Sequence, residues 1–233
     1  MKSLPIVYKS QDYKINMILD VNMVKQKKDT WDCGPAGISM ILDFHGITLS
    51  IEEIKEELGI TQKEFTYAPQ LGSWLITKGF EVEIIMLNPY IFSIAQQRLS
   101  QEEIKEYITK LSKDYKNEHQ KMILKHFKEF LDNGGTLTPK IPDFEDITSE
   151  IKEGRPIGAL LTTNVLSREI STFNFHFNVI VGFDEEENVY VNDPEWNLNS
   201  KPYKYKAKDF LYALHASAYG DCDNASLIMI RKL

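Results

Sequence analysis

Cysteine is scarce in this chain, and its scarcity excludes a good deal. With only Cys33 and Cys222 among 233 residues there is no disulfide framework and no zinc-type spacing, which removes the small secreted knots and the zinc-stabilised modules. A single Cys33–Cys222 bridge is the one pairing left, and a cytoplasmic setting would keep both thiols reduced. Positive charge is also short: 27 Lys and Arg stand against 34 Asp and Glu, a net charge of −7. That balance argues against a nucleic-acid partner, whose phosphates would be gripped by a basic face. Long apolar runs are missing as well. Nowhere do 18 apolar residues follow one another, and MKSLPIVYKSQDYKINMILD interrupts every apolar run with Lys, Asp or Asn. Neither a signal peptide nor a membrane span is expected, so the expected location is the cytoplasm. No phosphate-cradling glycine loop and no carboxylate pair suited to two metals is found, so no cofactor and no metal are expected. What is present is ordinary for a folded protein: 42% hydrophobic, 26% charged and 11% aromatic residues, enough to bury a core.

Periodicity divides the chain into elements. Residues 16–24 (NMILDVNMV) read as a short strand or extended lead-in, and QKKDTWD as a polar turn. A helix should follow, with Pro35 at its first position, Ile38, Ile41 and Leu42 as its apolar stripe and Gly46 as its stop. Ser50 with Glu53 forms a capping box for IEEIKEEL; a helix over APQLGSWLITKG ends at Gly79, and the strand FEVEIIML follows. Residues 89–133 are charged and mostly helical, with a second capping box at Ser100 and Glu103, and read as an insertion or lid within a single domain spanning 1–233. Thereafter come a helix from Asp143 to Glu153, the strand IGALLTT and a loop to Asn174. FHFNVIVGF and NVYVND then form a hairpin across DEEEN, followed by a strand (KPYKYK), a helix (KDFLYALH) and a closing strand (ASLIMIRK).

The chemistry centres on Cys33. A thiol with an ordinary pKa near 8.5 is only about 3% thiolate at pH 7, so a nucleophilic cysteine needs help to ionise. A helix N-terminus supplies some of it through free N–H groups and the helix dipole, and a neighbouring histidine supplies more. Five histidines compete. His119 and His126 lie in the charged block, where a solvated face explains them. His45 ends the cysteine's own helix, about 18 Å along the axis. His215 suits a helix C-terminus. His176 remains, at the start of a strand whose hairpin partner ends in Asp193, so the pair can lie side by side at one sheet edge and the carboxylate can orient the ring. Alone, Asp193 reads as an Asp-Pro turn residue and Gln26 as a surface glutamine. Within the joint pattern, Gln26 and the Cys33 N–H become candidate oxyanion donors.

Gln26, the run DTWDCGPAGISMIL and the later HFNVIVGFDEEENVYVNDP together resemble the papain-like cysteine peptidases, and within them the double-glycine leader (bacteriocin-processing) peptidases and their stand-alone peptidase-like members. The resemblance covers roughly residues 16–46 and 150–195. The step from Gln26 to Cys33 is seven positions, one more than that family's usual six. The run Trp-Asp-Cys-Gly is also similar to the guanylyl cyclase-like family, which shares the fold. The resemblance implies an α+β, papain-like fold, with an N-terminal helical part bearing the Cys helix packed on a C-terminal antiparallel sheet. It also implies a thiol hydrolase acting on amide bonds of a peptide or protein substrate, with Cys33, His176 and Asp193 as triad and Gln26 at the oxyanion. The same machinery serves deamidation or acyl transfer, and a catalytically idle, peptide-binding member is the alternative from another class.

Overall fold

The computed structural model describes residues 7–9, 15–60, 63–167 and 175–233. In chain order the first half holds β1 (Val7–Lys9), β2 (Ile15–Ile18), α1 (Cys33–Phe44), α2 (Ile51–Glu57), α3 (Ala68–Thr77), β3 (Phe80–Met86), α4 (Gln101–Asp114), α5 (Glu118–Asp132) and β4 (Thr136–Pro139). The second half holds α6 (Phe144–Lys152), β5 (Ile157–Thr162), α7 (Asn164–Ser167), β6 (Phe175–Phe183), β7 (Asn188–Asn192), β8 (Tyr203–Lys206), α8 (Ala207–Ala216) and β9 (Ser226–Lys232). The expected loop to Asn174 falls partly on 168–174, outside the described residues.

Local sequence explains most boundaries. Ser50 and Ser100 each accept the backbone N–H three residues on, while Glu53 and Glu103 reach back, so both expected capping boxes are formed. Asp143 and Asp146 make a third at the start of α6. Gly46 and Gly79 follow α1 and α3 with φ of 80° and 85°, a left-handed turn that costs a glycine nothing. The cysteine helix begins two residues before the expected start, at Cys33, leaving Pro35 as its third residue. Its first turn still needs no N–H there, so the proline remains compatible.

Among the described residues the nine strands join in one sheet, connected β1-β2-β6-β5-β9-β3-β4; β5 and β2 pair with successive stretches of one edge of β6, and β7 pairs with its opposite edge and carries β8. Every pairing is antiparallel except β3 with β4, so a parallel pair extends the expected antiparallel sheet, and strands of the N-terminal half share in it. β4 is too short and too polar, TLTP, to announce itself as a strand. The Cys helix lies on this sheet as expected: α1 packs against β6 and β5. The approach is close, since a Cβ at Gly37 would lie 2.3 Å from the Phe177 ring on β6. One continuous core holds Ile38 and Ile41 of α1, Phe177 and Val179 of β6, Ile228 of β9 and Phe127 of α5.

Candidate active site

Cys33 opens α1, with its helix running back into the core behind it. The chain needs a glycine next. A Cβ at residue 34 would sit 2.1 Å from Thr66 Oγ1, because the segment before α3 crosses the helix start there. The thiol is half-buried, and burial by itself opposes ionisation. A hydrogen bond from His176 and its positive charge outweigh that cost, joined by the backbone N–H groups of Phe177 and Gly34, and the thiol is held below its ordinary pKa.

His176 stands near the start of β6, opposite Leu161 of β5. Its ring is buried, and Nε2 lies 2.7 Å from Asp193 Oδ1. With Nε2 so engaged, Nδ1 is the nitrogen left for the sulfur. Burial favours the neutral ring, yet Asp193 and Cys33 overcome it and push its pKa up to about 10. Asp193 follows β7, three per cent exposed, and accepts the Glu195 N–H at 2.9 Å on the same Oδ1. Burial pushes its carboxyl up, but His176, the Glu195 N–H and Lys25 together hold it below the ordinary value. The pair does not sit at a sheet edge. β6 is an interior strand between β5 and β7, so His176 and Asp193 meet at the strand ends, where α1 begins.

Gln26 lies beside them. Its main-chain N–H donates to Pro194 O at 2.9 Å, which runs the chain before α1 alongside the chain after β7. Its side chain is buried, with Nε2 3.5 Å from Glu195 Oε2 and Oε1 lacking a partner among the described residues. The four residues singled out in the sequence therefore come from three distant segments to one place.

The model of the Peptidase_C39 like family matches residues 18–219, a span containing all four. The chain belongs to that family. Two solved structures are similar to this C39-like chain. The peptidase domain of Streptococcus ComA, a bi-functional ABC transporter involved in a quorum sensing pathway, is 16% identical, with 91% of this chain and 99% of that one covered and a TM-score of 0.48. A double glycine motif protease from an AMS/PCAT transporter, in complex with the leader peptide, is 15% identical, with 93% and 94% covered and a TM-score of 0.46. No curated protein matches the chain.

The other candidates of this C39-like chain go elsewhere. His119 Nε2 lies 2.5 Å from Asp221 Oδ2, and His126 stacks on Tyr67 with its pKa lowered by burial, so neither is simply a solvated face. His215 lies in the last turn of α8, as read from the sequence, with its pKa lowered by burial. His45 caps the far end of α1. Cys33 and Cys222 are both free thiols, and Cys222 is wholly buried beside Asp221, with its pKa raised by burial and by the acidic neighbours. Sequence reasoning missed the supports of the site. Lys25 Nζ donates to Asp193 O at 2.6 Å, and Asp32 pairs with Lys55 at 2.7 Å. Their only signal is adjacency to Gln26 and Cys33; the partners come from the fold.

Proposed function

We propose that this C39-like protein is a cysteine peptidase that cleaves an amide bond of a peptide or protein substrate, with Cys33 as nucleophile. The observation that carries the reading is the buried His176 held between the Cys33 thiol and the Asp193 carboxylate. The Cys33 sulfur attacks the carbonyl carbon; a C–S bond forms and the carbonyl electrons move to oxygen. The Cys33 N–H and Gln26 Nε2 hold the oxyanion. As the tetrahedral intermediate collapses, the C–N bond breaks and His176 gives its proton to the departing amine. Water then loses a proton to His176 as it attacks the thioester, releasing the acid and restoring the thiolate–imidazolium pair. Asp193 keeps the ring oriented and stabilises its charged form. Among the described residues no helix is long and apolar enough to cross a membrane, and the cytoplasm is the proposed location, where Cys33 stays reduced.

The test is the pH dependence of Cys33 alkylation by iodoacetamide, read by peptide mapping so that Cys222 does not interfere. Wild type should react well below pH 8, and His176→Ala should restore the profile of an ordinary thiol. Identical profiles for the two proteins would defeat the reading. Fragments released from a peptide library by wild type but not by Cys33→Ala would then identify the bond cut.

A further inference from the structure

An aspartate before a helix ordinarily turns its carboxylate back to accept an N–H of the first turn. Asp32 does not. It precedes α1, its main-chain O accepts the Ala36 N–H at 2.9 Å, and yet its side chain makes no capping hydrogen bond. The carboxylate, buried, instead meets Lys55 Nζ of α2 at 2.7 Å. The donors it would otherwise take are few. Pro35 has no N–H, so the first turn offers only those of Cys33 and Gly34. The Gly34 N–H is directed to the Cys33 sulfur, and the Cys33 N–H is the backbone oxyanion donor of the proposed reaction.

We propose that Lys55 is a positioning residue for the proposed peptidase: by drawing the Asp32 carboxylate onto α2, it keeps the first-turn N–H groups of α1 free for the Cys33 sulfur and the oxyanion. The inference rests on the reading of Cys33 as nucleophile. No acidic side chain lies in the first turn of α1, so Asp32 is the carboxylate adjoining it in sequence. The other ionisable groups around the thiol are His176 on β6 with Asp193 behind it, and Lys25 on the Asp193 main chain. Lys27, exposed and paired with Glu52 of α2, also lies within electrostatic reach of Asp32, but Lys55 is the cation in contact with the Asp32 carboxylate. Substituting Lys55 by a neutral residue removes the partner that holds Asp32 away, and the carboxylate then competes for the Gly34 N–H and sets a negative charge against the thiolate.

The experiment measures Cys33 alkylation by iodoacetamide from pH 5 to 9 in wild type, Lys55→Met, Lys55→Arg, Asp32→Ala/Lys55→Met and His176→Ala, each checked for native fold by near-UV circular dichroism. Lys55→Met should raise the midpoint by about one pH unit and slow the reaction at pH 6 roughly tenfold. Lys55→Arg keeps the ion pair and should match wild type. The double variant has no carboxylate to divert and should return to the wild-type midpoint. A natively folded Lys55→Met with an unchanged midpoint overturns the proposal, as does a double variant that stays as slow as the single one, since Lys55 would then act through its own charge. Should Lys55→Met fail to fold, the double variant decides: a native fold with the wild-type midpoint supports the proposal, and a raised midpoint overturns it. His176→Ala separates the two levels. A midpoint unmoved in His176→Ala defeats the nucleophile reading itself, whereas one that moves there but not in Lys55→Met defeats only the role of Lys55.

Discussion

The Cys33 thiol is held below its ordinary pKa against the cost of its own burial, and most of the favourable side is supplied by groups that the chain brings from elsewhere, His176 from β6 and the Phe177 N–H beside it, with the Gly34 N–H added locally. At the residue scale this separates two tasks that share one sulfur. Making the thiolate depends on His176; stabilising the oxygen of an attacked carbonyl depends on donors that the thiolate itself does not need. Gln26 belongs to the second task in the proposed mechanism, so Gln26→Ala should slow acylation of Cys33 by an activated ester such as p-nitrophenyl acetate by about a hundredfold. Displacement on iodoacetamide builds no oxyanion, and its rate should stay within about twofold of wild type. Equal loss in both reactions would mean that Gln26 shapes the site as a whole, and no loss in either would remove it from the oxyanion. The orientation of its amide comes from Glu195, whose Oε2 lies 3.5 Å from Nε2. A carboxylate beside the amide favours its nitrogen on that side.

At the scale of elements the site depends on how closely one helix approaches one strand. Gly37 lets α1 settle on Phe177 and Val179, and an alanine there would place its Cβ 2.3 Å from an aromatic ring that is itself wedged against Gly158. Gly37→Ala should therefore cost about 1–3 kcal/mol in urea unfolding. It should also blunt Cys33 alkylation below pH 7, because α1 must move off β6 and the sulfur moves with it. Full reactivity in a destabilised Gly37→Ala would show that the helix start is held independently of its middle. Much of this scale was legible in the sequence. The capping boxes at Ser50 and Ser100, the hairpin over DEEEN and the helix after Asp32 depend on residues within a few positions of one another, and local chemistry decides them. β4 and the interior place of β6 depend on which strand lies next to which, and that is set by packing between distant segments. Residues 89–133 illustrate both. Their helices follow the apolar periodicity, while their placement against α3 and β4 carries Ile108, Leu124 and Phe130 into the common core. We propose that this inserted block is part of the folding unit. Replacing it with a short linker should abolish cooperative unfolding, and a retained sharp transition would argue that it is an appended cover.

The whole molecule carries more acid than base, and its buried acids make its stability depend on pH. Asp223 is the clearest case. It is two per cent exposed, and its Oδ2 accepts the Ala68 N–H at 2.8 Å, fixing the start of α3 to the segment before β9. The same segment is gathered by Asn88, whose side chain donates to the carbonyls of Ala218, Asp221 and Asn224, and by the contact of Asp221 with His119 on α5. Burial pushes the Asp223 carboxyl up to about 7, the charge of Asp221 adds to the rise, and the Ala68 N–H pulls against them. A carboxyl whose pKa is higher in the folded state keeps a proton that the unfolded chain has released. Folding is therefore disfavoured progressively as pH rises from about 4 to about 7, with the full cost present above that range and none below it. Asparagine at this position still offers an oxygen to Ala68 and carries no proton to lose. Asp223→Asn should consequently be more stable than wild type at pH 8 by on the order of a few kcal/mol, with the advantage shrinking as pH falls and gone near pH 4. Urea melts at pH 4, 6 and 8 measure this directly. An advantage of the same size at all three values would mean that the substitution acts through packing at the α3 start, and the proton would have no part in it.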